Sequence, residues 1–430
     1  MAQLRVVVVG AGIVGLASAY HLVKAGARVT VIDRDPEGDN ASTGNAGGIA
    51  VTEVYPAASP GVWWRAFGWM ADPLGPLAIR PRHALALLPW LLRFAASASP
   101  REVERISYAL AALNQRVYED LNPMLEDCGQ RAQLHCDGAL TVYETEAGYA
   151  RDGMEWASKR ARGIVVEELS GNEARALESA LGPKVHRAVF TPQWSHIEDP
   201  KKLLHALREW LLRHGSTLLT RHVRGAVPGA TSSLCVEVDG GPAVAADRVV
   251  IAAGAWSERL AARLGDRVLL ESERGYNTTL PHPEIKVGRE LIFAERKFVA
   301  TPLSCGLRIG GAAEFGGLRA APNFKRSHAL VELARQYLPG LRTDGGTQWS
   351  GHRPTTPDSL PVIGPSPHAP QVIYAFGHGH FGLTQAATTG RLVRDLVLRD
   401  KPLIDLAPYS IERFSKSKEI RDATSHLFLH

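Results

Sequence analysis

Apolar residues fall along this chain in two rhythms. Leu4 to Val9 and Val29 to Ile32 are short valine-rich runs, the form taken by parallel strands covered on both faces. Between them, Ile13 to about Ala25 has a helical pattern and ends at Gly26, which is placed to cap a helix C-terminus. Arg221 to Gly225 and Arg248 to Trp256 read as further buried strands. Other stretches carry a different pattern. Ser99, Pro100 and Glu102 make a helix start, and Val103, Ile106, Leu110, Leu113 and Val117 then share one apolar face. From Arg267 to Ala313 the chain reads as strands broken by turns, which predicts a mainly antiparallel sheet. No internal repeat interrupts this order.

The alternation predicts an α/β fold. A Rossmann-like dinucleotide-binding domain would be assembled from discontinuous segments, roughly 1–60, 190–260 and 345–430. Residues 61–189 and 261–344 would form a substrate domain with a mainly antiparallel sheet. The first strand ends in GAGIVG. Gly10 permits the tight turn, Gly12 lets a pyrophosphate approach the main chain, and Gly15 lets the helix pack closely on the strand. The helix amides from Ile13 and Val14 onward face the phosphates. Asp33, at the carboxyl end of the second strand, is placed to accept hydrogen bonds from the adenosine ribose and would repel a 2'-phosphate. Arg34 follows it and joins the cofactor-binding set. The motif alone leaves both NAD and FAD open.

Composition narrows the class. With 430 residues, about two domains are expected, and 45% hydrophobic with 22% charged residues is ordinarily globular. The net charge of +5 is dispersed rather than gathered into the dense patch that nucleic acid binding needs. Four cysteines, Cys128, Cys136, Cys235 and Cys305, show no CxxC pair and no histidine at zinc-ligand spacing, so no metal site is expected and a reduced, cytoplasmic setting fits. The N-terminus enters the strand pattern directly, without the layout of a signal peptide.

Three stretches carry a family resemblance. Asn40 to Ile49 is a run of small and hydroxyl residues whose bland reading is a turn-rich linker. Its Ser42, Asn45, Ala46, Gly47, Gly48 and Ile49 resemble the loop along the pyrophosphate and flavin in the D-amino acid dehydrogenase branch of the D-amino acid oxidase superfamily. GHRPTTPDSLPVIG, Gly351 to Gly364, is similar to that family's GxRPxTPDxxPxIG segment. FGHGHFGLT, Phe376 to Thr384, is similar to its GHGxxGxT segment, where backbone amides meet the flavin pyrimidine. The resemblance implies non-covalent FAD, held also by Gly379, His380, Gly382, Leu383 and Thr384 near the ring. It further implies contacts from the Val223 backbone at the adenine and from Ala253, Gly254 and Trp256 near the pyrophosphate. Arg353 joins the same set.

The chemistry can be built from below. A flavin takes the hydride from an amino acid α-carbon, so the protein mainly holds and orients the substrate. A carboxylate substrate calls for a guanidinium, whose fork binds both oxygens. Arg353 meets that need, flanked by Pro354, Pro357 and Pro361, which are expected to hold its loop rigid; it also matches the family's substrate arginine. Tyr276 resembles the family's tyrosine that reaches the substrate carboxylate, with plain strand packing as its alternative. Tyr55 and Glu53 follow the flavin loop and could line the same pocket. His352, His378 and His380 surround the C-terminal motifs; His380 joins the candidate catalytic group, although hydride loss needs only a neutral amine.

One further stretch stands apart. Residues 61–94 hold four of the nine tryptophans, Trp63, Trp64, Trp69 and Trp90, interleaved with Arg65, Arg80, Arg82 and Arg93. The mixture suits a surface pressed into lipid headgroups, which would put a peripheral enzyme at the inner membrane face, or an apolar cover over the cofactor domain. Charges interrupt it before the roughly 20 apolar residues that a spanning helix needs. The sequence as a whole points to an FAD-dependent dehydrogenase of a D-amino acid, or of a cyclic secondary amine such as D-hydroxyproline, passing electrons to a quinone or another non-oxygen acceptor. The alternatives are a glycine- or sarcosine-type oxidase using oxygen and a non-catalytic dinucleotide-binding regulator.

Overall fold

The computed structural model describes residues 3–71, 74–228 and 234–417. Among them, a six-stranded sheet forms the floor of the molecule. In spatial order its strands are Thr217–Thr220, Arg28–Asp33, Arg5–Val9, Arg248–Ile251, Val372–Phe376 and Val362–Pro365. The first five run parallel and the last is antiparallel to its neighbour. Both faces are covered, which is why the valine run lacks alternation: Val6 and Val8 join one apolar cluster, Val7 and Val9 another. Helices Ile13–Lys24, Pro200–Arg213 and Gly382–Leu398 supply the first cluster. At Gly15 a Cβ would run into the Gly10 carbonyl, so the first helix approaches its strand at a distance only glycine allows.

Above the floor lies a roof sheet. Its strands run in the order Thr347–Thr355, Glu271–Leu280, Gly306–Phe315, Phe298–Leu303, Glu290–Phe293, Ala139–Tyr143, Arg187–Thr191 and Glu167–Ser170. Pairing along this path is antiparallel except between Glu290–Phe293 and Ala139–Tyr143. The antiparallel sheet expected from Arg267 to Ala313 is therefore present.

The structure redraws four expectations. The sequence places Thr347–Thr355 in the dinucleotide-binding segments, but it pairs along its length with Glu271–Leu280 and belongs to the roof. Arg353 thus sits in a strand rather than in a proline-stiffened loop, because ladder hydrogen bonds already fix its backbone. The single helix expected from Ser99 through Val117 is two, Pro100–Asn114 and Val117–Asp127. Asn114 ends the first, with its amide nitrogen donating to the Glu53 carbonyl at 3.0 Å. Both helices, expected in the substrate domain, pack against the C-terminal helix in the floor's own apolar clusters.

Segment 61–94 forms helices Val62–Ala71 and Ala84–Ser97 joined through a short strand. Trp90 points inward, 5% exposed, donating Nε1 to the Thr355 carbonyl at 3.0 Å and packing on Phe94 and Phe315. Arg80 binds Glu314 at 2.8 Å. With lipid-facing surface and apolar cover as the two alternatives for this segment, these two side chains are spent on the roof. The side chains of Trp63, Trp64 and Arg65 lie outside the described ones. The outer face of the second helix instead bears Leu85, Leu88 and Leu92, 87%, 49% and 60% exposed. No helix among the described residues is long and apolar enough to cross a membrane.

Candidate active site

Floor and roof enclose a cavity of about 1380 Å³. One end is the glycine turn: Gly10, Gly12, Ile13, Val14, Asp33 and Arg34 line it, with Val223, Ala253, Gly254 and Trp256 from the neighbouring strand ends. Asp33 accepts from Ala11 N at 2.7 Å through Oδ2 and from Asp35 N at 2.8 Å through Oδ1. Its carboxylate thereby ties the first turn to the second strand. Arg34 lays its guanidinium over the Trp256 ring, 3.8 Å from the centroid. At the helix start, Ile13 N donates to Ser42 Oγ at 3.0 Å.

The small-residue loop runs on from there. Ser42, Asn45, Ala46 and Gly48 line the cavity, and the roof clamps the loop from above: Asn277 donates to the Gly44 carbonyl at 2.8 Å and Arg308 to the Asn45 carbonyl at 2.5 Å. From the C-terminal turn come Gly379, His380, Gly382 and Leu383. Gly15, Gly47, Ile49 and Thr384 stand behind the wall. Thr384 Oγ1 accepts from Ala50 N at 2.9 Å and so pins the loop to the C-terminal helix. A continuous channel floored by glycines and opening on backbone amides at a helix start fits an extended dinucleotide.

The roof side carries charge. Arg353 Nη1 donates to Glu273 Oε1 at 3.1 Å and to the Ala312 carbonyl at 3.0 Å. Glu273 Oε1 also accepts from His380 Nε2 at 2.6 Å, and Oε2 accepts from Thr355 Oγ1 at 3.3 Å. Burial would raise this carboxyl, but His380 and Arg353 outweigh burial and hold it down at about 2. Tyr276 lines the cavity wall, yet its hydroxyl donates to Glu314 at 3.1 Å and accepts from Asn323 N at 3.0 Å, so that oxygen is engaged within the roof. Tyr55 lines the cavity as well. His352 is bonded to Ser272 Oγ at 2.6 Å, and burial, with Arg274 and Arg34 nearby, lowers it to about 4. His378 is buried against Thr389 and lowered to about 3.

Sequence reasoning missed several of these groups. Glu273 is one, and its only signal was a charge inside the stretch that reads as antiparallel strands. Lys159 is another: it is buried, and pairs with Glu53 at 2.6 Å and Glu155 at 2.8 Å on the cavity wall. Glu290 is the third. It lines the cavity, accepts from Trp194 Nε1 at 2.8 Å, and is pushed up by burial to about 7.

A dinucleotide cradle that opens directly into a roofed, charged chamber is the layout of a cofactor-dependent oxidoreductase, and comparison narrows the class. Residues 5–396 match the DAO family, FAD dependent oxidoreductase. The chain belongs to this family and uses FAD. It is 35% identical to a D-amino-acid oxidase of Bradyrhizobium diazoefficiens, over 95% of this chain and 99% of that protein. It is 30% identical to a D-amino acid dehydrogenase of Sinorhizobium medicae, over 96% and 100%. Among solved structures, glycine oxidase from Geobacillus kaustophilus matches with a TM-score of 0.71 at 25% identity, covering 96% of this chain and 99% of that one. When bound, FAD supplies a two-electron acceptor; the protein supplies the binding and orientation.

Proposed function

We propose that this enzyme oxidises a D-amino acid, or a related cyclic secondary amine such as D-hydroxyproline, at its α-carbon. The product is an imino acid, and an open-chain one hydrolyses to a 2-oxo acid and ammonia. The observation that carries the reading is Arg353, a permanent cation fixed on the roof of the chamber into which the dinucleotide cradle opens. Its fork is the group that a substrate carboxylate needs, and the names of two relatives at 30% identity or above agree with that substrate class. Arg353 holds the carboxylate, Tyr55 and Tyr276 shape the adjoining wall, and His380 closes the turn below. Gly10, Gly12, Ile13, Val14, Asp33 and the loop through Gly48 hold the cofactor. Electrons pass on to a quinone or another non-oxygen acceptor, and the exposed Leu85, Leu88 and Leu92 face supports peripheral membrane contact for that step.

A second reading, a glycine-type oxidase that returns electrons to oxygen, draws on the glycine oxidase likeness. One experiment decides among these. D-amino acids, L-amino acids, D-hydroxyprolines and N-methylglycines are assayed with an artificial dye and separately for oxygen consumption. Dye reduction by D-substrates with little oxygen uptake is the expected result. Turnover confined to glycine or sarcosine, coupled to oxygen, would replace it with the second reading.

A further inference from the structure

In the antiparallel pair formed by Glu271–Leu280 and Thr347–Thr355, Glu273 stands directly opposite Arg353. Residues facing each other across such a pair present their side chains on one face. The Glu273 carboxylate is 8% exposed and takes donors from three sides: Arg353 Nη1, His380 Nε2 and Thr355 Oγ1. With both oxygens held it cannot turn. Two residues along the same strand and on the same face comes Gly275, where a Cβ would collide with the Arg353 guanidinium carbon and Nη2. The guanidinium therefore lies flat over the Gly275 backbone, with Nη1 anchored in Glu273 and the Ala312 carbonyl. Among the described residues no hydrogen bond holds its Nε or Nη2.

We propose that Glu273 is a positioning residue for the substrate carboxylate: by holding Arg353 Nη1 it sets the guanidinium plane, and by cancelling part of its charge it makes orientation, rather than raw attraction, decide what binds. The inference rests on the reading of Arg353 as the carboxylate anchor. A carboxylate offered to the Nε–Nη2 edge meets two parallel N–H groups in a fixed plane. A freely rotating cation would hold the same carboxylate at least as tightly and in many poses, few of which bring the α-carbon to the reactive geometry.

The test uses FAD-loaded enzyme. Propionate, a carboxylate with no oxidisable amine, is titrated and read by the change in flavin absorbance, and kcat and KM are measured on the best D-amino acid. In Glu273→Gln the neutral amide releases the charge of Arg353, so propionate should bind at least about threefold more tightly while kcat falls about tenfold or more. Glu273→Asp keeps the charge and shortens the reach; its propionate affinity should stay within about twofold of the parent while kcat falls. A purely structural role would lower FAD content or Tm and leave both quantities unmoved. Unchanged kcat and propionate affinity in FAD-replete Glu273→Gln overturn the proposal. Should that variant fail to retain FAD, unchanged kcat in Glu273→Asp does so. Failure of the parent enzyme to bind propionate or oxidise any amino acid would instead bring down the reading of Arg353 and the substrate class.

Discussion

Asp33 and Arg353 each hold neighbouring protein groups while carrying a proposed ligand role. Asp33 already braces the glycine turn through Ala11 N and Asp35 N, and the ribose assigned to it would share the same oxygens. Replacing it with alanine removes charge-assisted hydrogen bonds worth roughly 1.5 to 3 kcal/mol each. FAD should therefore dissociate about tenfold or more faster on dialysis, with Asp33→Asn, which keeps one acceptor oxygen, in between. Full retention in Asp33→Ala would remove the ribose assignment. Arg353→Lys asks a different question. It keeps the charge but loses the planar fork, so FAD content should stay normal while kcat/KM for the amino acid falls about tenfold or more; unchanged kinetics would refute the carboxylate role. Their place on the cavity wall was legible because each belongs to a short local pattern, an acid after a second strand and an arginine in GHRP. Glu273, Glu290 and Lys159 were not. Their meaning comes from partners far along the chain, such as Glu273 with Arg353 and Lys159 with Glu53, which no local spacing reveals.

Elements were legible where periodicity is strong and misread where long-range pairing decides. The valine strands, the Ile13–Lys24 helix and the roof strands follow their patterns, since burial on two faces or one face leaves a distinct imprint. Thr347–Thr355 was hidden by Pro354 within it, by Pro357 and Pro361 just beyond, and by its partner, Glu271–Leu280, lying far back in the sequence. Helix Ala84–Ser97 was half legible: its aromatic content was evident, but which side faced inward was not. With Leu87 and Trp90 buried and Leu85, Leu88 and Leu92 outward, the helix presents an apolar ridge beside the exposed Arg82. If that ridge meets lipid, the enzyme sediments with anionic vesicles at low salt, and Leu85→Ser with Leu88→Ser and Leu92→Ser reduces sedimentation and quinone reduction while dye-coupled turnover stays level. Equal sedimentation of parent and triple variant would end the membrane role of this helix.

At the scale of the whole molecule, buried imidazoles set the response to acid. Burial, with Arg391 and Arg394 nearby, lowers His21 to about 3, and burial alone does the same for His378. His196 and His352 fall to about 4, again mainly through burial. The unfolded chain protonates such groups near pH 6.5, so from there downward it binds more protons than the folded protein, and stability drops as pH falls. A fully buried imidazole such as His378 contributes up to about 1.4 kcal/mol per pH unit in that window. Glu290 acts in the opposite sense: held at about 7 in the fold, it favours the folded state most below about pH 4.5, and this support fades as pH rises towards 7. Burial also raises Glu258 and Asp120, in the same sense as Glu290, but the four imidazoles carry the larger shifts from pH 6.5 downward, so Tm should be lower at pH 4.5 than at pH 6.5, and His378→Gln should flatten the slope. A Tm independent of pH over that range would contradict the assignment of these imidazoles as neutral.

The scattered origin of the floor also fixes when the enzyme becomes whole. Strands Arg5–Val9 and Arg28–Asp33 leave the ribosome early, whereas Val372–Phe376, which flanks Arg248–Ile251, and the Gly382 and Leu383 side of the chamber follow far later in the sequence. Domains are generally built in the order of synthesis. Here a nascent chain can display the phosphate turn long before the opposite wall exists, while Arg248–Ile251 waits with an unpaired apolar edge, the kind that invites wrong partners. Stable cofactor capture thus waits for Gly382 and Leu383 to emerge, and until then the Arg248–Ile251 edge stays open to wrong partners.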